Sequence, residues 1–116
     1  VLGLDDLRAY ANALPEVEEK THFRLPSFAV RGEPFAGLER GETTAIVAVD
    51  RETAGAAVAE DPATYEEVWR NAGRPIWVGV RVRLASVPAE RLRELVEAAW
   101  RNKAPNRVVA AYDAER

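Results

Sequence analysis

Residues 22–50, HFRLPSFAVRGEPFAGLERGETTAIVAVD, decide the fold. Three apolar stretches, His22–Arg31, Pro34–Arg40 and Thr43–Asp50, are parted only by Gly32-Glu33 and Gly41-Glu42. Links so short and glycine-containing join antiparallel strands, because parallel neighbours need a crossover of roughly a dozen residues. Pro26 has no N–H to give to a ladder, which predicts an edge position or a bulge in the first strand. The third strand, TTAIVAVD, is apolar on both faces, which predicts a central place.

Helical patterns flank this run. Leu4–Leu14 places Leu7, Ala11 and Leu14 on one face, with Asp5 as a cap and Pro15 as a stop. Glu16–Glu19 reads as an acidic connection. Arg51–Glu60 is alanine-rich and helical, with Asp50 as its cap. A helical turn is expected at Pro62–Glu66, followed by a short strand near Val68. Ile76–Leu84 alternates cleanly: Ile76, Val78, Val80, Val82 and Leu84 face one way, and Trp77, Gly79, Arg81 and Arg83 the other. Pro88–Lys103 carries Leu92, Leu95, Val96, Ala99 and Trp100 as an apolar stripe. Asn106–Tyr112 can form a last short helix. Hairpin-linked strands with helices gathered around them imply α+β, with helices packed on one face of an antiparallel sheet.

Composition excludes several chemistries. The 116 residues fit one domain, residues 1–116. There is no cysteine, hence no disulfide, thiolate metal site or Cys nucleophile. A single histidine, His22, excludes a His-rich metal site. No Gly-x-Gly-x-x-Gly, Walker or zinc motif occurs, so no cofactor and no metal is expected. No apolar run approaches the ~20 residues of a membrane helix, and no signal-peptide pattern opens the chain, so a soluble cytoplasmic protein is the default.

The formal net charge of −3 hides a segmental pattern. Lys20–Gly32 carries +3, Glu33–Glu67 carries −7, Val68–Ala89 carries +4 and Arg101–Tyr112 carries +3. Within the basic segments, an indole beside guanidinium groups can stack on a base or hold phosphate. Trp77, Arg81 and Arg83 would share a strand face, with Arg70 and Arg74 in the adjoining hairpin. Gly79 would let a ligand approach closely. Arg24 and Arg31 form a second basic set with Lys20. His22 is the one imidazole available as a general base, but no nucleophile elbow accompanies it. The acidic pairs lack metal-loop spacing, and Asp5, Asp50 and Asp61 read as helix caps.

Three stretches together resemble the MmcQ/YjbR family: LPEVEEKTHFRLPSFAVRGEPFAGL (residues 14–38), Asp61-Pro62 with GRPIWVGVRV (residues 73–82), and LRELVEAAWRNKAPNRVV (residues 92–109). The resemblance covers nearly the whole chain. It implies a two-layer sandwich of secretion-chaperone-like topology, with two strands after the second helix. The expected order is α-β-β-β-α-β-β-α, with four to five strands in the sheet. It also implies DNA binding and brings no catalytic residues. The sequence departs from the family in having Glu33, not a base, after Arg31-Gly32.

The expectation is a non-catalytic binding module, not an enzyme. DNA would be its partner, held by Arg24, Arg31, Arg70, Arg74, Trp77, Arg81 and Arg83. The alternative is a protein-interaction or small-ligand-binding module using the open sheet face. Convergence of the arginines on one surface would favour DNA, and neutralisation by glutamates of the Glu33–Glu67 block would weigh against it.

Overall fold

A computed structural model describes residues 1–116. Its elements are α1 (Leu4–Asn12), β1 (Val17–His22), β2 (Leu25–Val30), β3 (Glu33–Leu38), β4 (Thr44–Val47), α2 (Arg51–Glu60), β5 (Tyr65–Asn71), β6 (Pro75–Arg83), α3 (Ala89–Lys103) and α4 (Asn106–Ala114). The strands form one antiparallel sheet in the order β1-β2-β3-β4-β6-β5. The α+β class and helix-on-sheet layering stand as read from the sequence. β4 is central, between β3 and β6.

The sheet has six strands where four to five were expected. The extra one is β1, which takes in Val17, Glu18 and Glu19 of the expected acidic connection Glu16–Glu19. Phe23 (φ 51°) and Arg24 (φ 66°) both take left-handed backbone and make a two-residue hairpin turn. Val17 then pairs with Val30, and His22 with Leu25. Pro26 therefore lies near the start of an interior strand, opposite Thr21 and just outside the β2–β3 ladder, which begins at Ser27; the irregularity of that ladder falls between Phe28 and Ala29. The helical turn expected at Pro62–Glu66 is present but shorter: the Thr64 and Tyr65 N–H groups donate to the Asp61 carbonyl at 3.0 and 3.1 Å, and β5 begins at Tyr65.

Helix ends follow local chemistry. Asp50 Oδ1 accepts the Thr53 N–H at 2.8 Å and caps α2. In α1 the reciprocal contact falls to Asp6, not Asp5: Asp6 Oδ2 accepts the Gly3 N–H at 2.9 Å. Asp61 closes the turn after α2, accepting from the Ala63 N–H and the Thr64 hydroxyl. The core lies between the sheet and α1, α2 and α3. Leu7, Phe28, Val47, Val80, Val82, Leu92, Leu95 and Trp100 are fully buried there. Trp100 Nε1 donates to the Pro15 carbonyl at 3.0 Å, tying α3 to the end of α1.

β6 is not regular. Val68 pairs with Gly79, yet Trp69 pairs with Trp77, so Val78 has no partner across the ladder. This is a β-bulge, and it reverses the facing of everything before it in β6. Val80, Val82 and Leu84 remain in the core. Ile76 and Val78 turn to the uncovered side and are absent from the core cluster, whereas Trp77 packs against it. A side chain at Gly79 has no room: its Cβ would lie 2.2 Å from the Val47 carbonyl oxygen and 2.9 Å from Ala48 Cα.

Gly79→Ala should therefore lose about 3 kcal/mol, since rigid backbone must move to admit one methyl group. Gly55→Ala, whose Cβ would meet nothing within 4 Å, should gain about 0.5–1 kcal/mol as a helix-interior substitution. Urea denaturation of the two variants beside the wild type checks both signs.

Candidate binding site on the open face of the sheet

The face opposite the helices is uncovered, and one row of side chains crosses it. Lys20 pairs with Ser27, Ser27 with Gly37, Gly37 with Ile46, Ile46 with Arg81, and Arg81 with Glu66. Directly paired residues share a face, so the row runs across all six strands. Its middle is small and apolar, and its β6–β5 end is charged.

At the charged end, Arg81 is held from two sides. Its Nε donates to Glu39 Oε1 at 2.7 Å and its Nη2 to Glu39 Oε2 at 3.0 Å, a two-pronged pair. Its Nη1 donates to Glu66 Oε1 at 2.8 Å. Thr44 Oγ1 also donates to Glu39 Oε1, at 2.7 Å. Partial burial works against the charge on Glu39, but the bonds from Arg81 and Thr44 outweigh it and hold the carboxyl below its ordinary range. The same bonds to Glu39 and Glu66 push the Arg81 guanidinium up.

The apolar part is a groove of about 380 Å³ over Ser27, Gly37, Ile46 and Val78, with Lys20 and His22 among its lining residues. Ser27 and Gly37 make the concavity because neither fills the space above its strand. Ile46, Ile76, Val78 and Val68 are half-buried, and none of them joins the core. A volume of this size suits a small molecule or a few side chains of a peptide.

The arginines singled out from sequence do not converge. Arg24 sits in the β1–β2 turn and Arg83 at the same end of the sheet. Arg31, Arg70 and Arg74 lie at the opposite end. Arg83 and Arg74 are nine positions apart in sequence, or roughly 30 Å along a strand. Arg31 Nη1 donates to Glu16 Oε1 at 2.8 Å. Arg24, Arg70, Arg74 and Arg83 are exposed and take part in no salt bridge. Trp77 is not beside Arg81 and Arg83. The bulge turns it to the helix side, where its Nε1 donates to the Val49 carbonyl at 2.8 Å and its ring meets Trp69 edge-on at 5.1 Å. Arg51, at the start of α2, lies over the Trp69 ring at 5.0 Å. The close approach expected at Gly79 is taken by the β4 backbone, not by a ligand.

His22 is exposed, and its ring stacks edge-on with Phe23 at 4.5 Å. No group of three His, Cys, Asp or Glu side chains is placed to hold a metal ion. No helix is long and apolar enough to cross a membrane. The groove residues Ser27, Gly37, Ile46 and Val78 were not singled out from sequence. The one signal was Ile46: TTAIVAVD is apolar on both faces, and only one of them is covered.

Among protein-family models, that of YjbR matches residues 12–102. Among solved structures, the chain is similar to Deinococcus radiodurans protein DR2400, a DUF419 domain protein. The identity is 25%, over 83% of this chain and 74% of that one, with a TM-score of 0.67. No curated protein matches the chain.

The Arg81–Glu39 pair sets a pH dependence. The folded-state pKa of Glu39 is lowered, so its stabilisation is full above the ordinary carboxylate range. It disappears as pH falls through the depressed value. Glu39→Gln should lose about 1–2 kcal/mol near neutrality, a figure kept low because the pair is partly solvated. It should also flatten the acid limb of the stability curve. Urea midpoints measured across the acid range read both effects.

Proposed function

The chain belongs to the YjbR family, and from that premise we propose that it is a non-catalytic binding module whose ligand lies in the open-face groove. The observation that carries this reading is the set Ile46, Ile76, Val78 and Val68. These are four aliphatic side chains on an uncovered sheet face, outside the core. Apolar side chains so placed lower their free energy when a ligand covers them. The preferred ligand is amphipathic: an apolar body over Ile46 and Val78, and an anionic group near Lys20. The lack of cysteine, the exposed position of His22 and the absence of a cofactor motif support a binding role over a catalytic one.

A second reading, DNA binding, is favoured by the four exposed arginines without ion-pair partners: Arg24, Arg70, Arg74 and Arg83. Arg24 and Arg74 sit in hairpin turns, Arg70 near the end of β5 and Arg83 at the end of β6, so contacts to phosphate would come from separate points. Arg81 takes no part in this reading, because Glu39 and Glu66 already occupy its donors.

Titration with anilinonaphthalene sulfonate, an apolar anion, separates the two. The probe should bind the folded wild type, and Ile46→Glu should bind it about tenfold more weakly, because a carboxylate is set into the apolar floor. Circular dichroism verifies that the variant is folded. Equal binding by Ile46→Glu would remove the groove from consideration. Anisotropy with duplex DNA tests the second reading. Affinity that falls with salt, and falls again in Arg70→Ala/Arg74→Ala, would support it.

A further inference from the structure

β5 is an edge strand whose outer rim has no partner. In its ladder with β6, the Arg83 N–H donates to the Thr64 carbonyl at 2.9 Å, opposite in register. Backbone groups alternate in direction along an antiparallel strand. Even-numbered residues of β5 therefore address β6, and Glu67 and Trp69 present their N–H and C=O outward. No backbone hydrogen bond outside the ladder engages residues 66–70.

The side chains along this rim are complementary to their own reverse about Val68. On the open face stand Glu66, Val68 and Arg70, and on the helix face Glu67 and Trp69. A second copy running antiparallel, with Val68 opposite Val68, sets Glu66 against Arg70 on both sides of the axis. It also pairs Glu67 with Trp69, the two residues whose backbone groups point outward. Register, hydrogen-bond direction and charge thus agree on one alignment.

Further observations point the same way. Glu66 uses only Oε1, toward Arg81, and its side chain is 66% exposed, so Oε2 is open to a second guanidinium. Arg70 is exposed and belongs to none of the chain's ion pairs. Trp69 is 42% exposed, one of three large hydrophobic residues left at the surface. The other sheet edge, β1, differs. Its residues from Glu18 onward are exposed and polar, and Glu19 is held by Arg8 Nε at 2.8 Å and Nη2 at 2.9 Å. Charge on an edge strand discourages pairing.

We propose that β5 is a self-pairing edge through which two copies of this chain associate about a two-fold axis at Val68, joining their sheets into one. The interface is isologous, as a two-fold dimer requires. Arg70 of each copy completes the Glu39–Arg81–Glu66 network of the other.

The chain has no cysteine, so a single introduced thiol reports on the axis. Val68 opposite Val68 is a non-hydrogen-bonded pair, with Cα atoms ~4.5 Å apart, within the reach of a disulfide. Val68→Cys should oxidise to a covalent dimer, while Thr21→Cys on the β1 edge should stay largely monomeric. Sedimentation of the wild type should show its mass rising toward two chains with concentration. Arg70→Glu should weaken that association about tenfold, by setting like charges opposite each other twice. Glu67→Pro, which removes an outward N–H, should weaken it too. Circular dichroism spectra like the wild type's establish that both variants are folded. A wild type that stays monomeric at every concentration overturns the proposal. So does a dimer indifferent to both substitutions, or a Val68→Cys that cross-links no faster than Thr21→Cys.

Discussion

The carbonyl oxygen of Val47 stands where a side chain at position 79 would have to be, and much of the molecule follows from that contact. β6 can run beside the end of β4 only with glycine there, and next to that glycine its register against β5 shifts by one residue at Val78. Beyond the shift, inner and outer faces exchange. Trp77 joins the helix layer, bonds the Val49 carbonyl and, with Trp69, fills the space beneath the start of α2. Ile76 and Val78 are turned out in exchange. The apolar character of the open face is thus a consequence of how β6 is fitted between β4 and β5.

Electrostatics follows the same geometry. The −7 and +4 segments are separate in sequence, but the sheet interleaves them. Glu39 leaves the end of β3, Glu66 lies on β5, and Arg81 on β6 lies between them. The most buried of the expected phosphate-binding arginines is thereby committed to internal carboxylates. A guanidinium held by a two-pronged carboxylate would have to give up that pair to meet a phosphate. The arginines that stay free are those at turns and strand ends, where no neighbouring strand can supply an acid.

Local rules made some of this legible and tertiary contacts hid the rest. The hairpins of residues 25–47, the central place of β4, the cap at Asp50 and the stripe of α3 all rest on turn length, periodicity and capping chemistry, which act over a few residues. β1 was missed because an exposed edge strand such as VEEKTH has no apolar alternation to read. Its turn, Phe23-Arg24, also lacks the Asn or Gly that usually marks two left-handed residues in a row. Strict alternation gives Trp77 the wrong face because a bulge intervenes. The Val47 carbonyl that crowds Gly79, beside the bulge, lies 32 positions away in sequence. Pairing of Arg81 with Glu39 spans 42 positions and depends on β4 and β6 being neighbours, which hairpin logic alone does not give.

An open sheet of this kind leaves two kinds of unfinished surface, a face and two edges, and the chain treats them differently. Along β1 the edge is closed to pairing by charge, with Glu19 drawn back to α1 by Arg8. Along β5 it alternates acid, aliphatic residue and base, an order that opposes its own copy without conflict. Val68 belongs to both surfaces, because it ends the aliphatic set of the open face and lies at the centre of the β5 rim. If two sheets join there, the two aliphatic sets become contiguous across the axis. A ligand longer than one groove would then bridge both copies, and its binding would be coupled to their association.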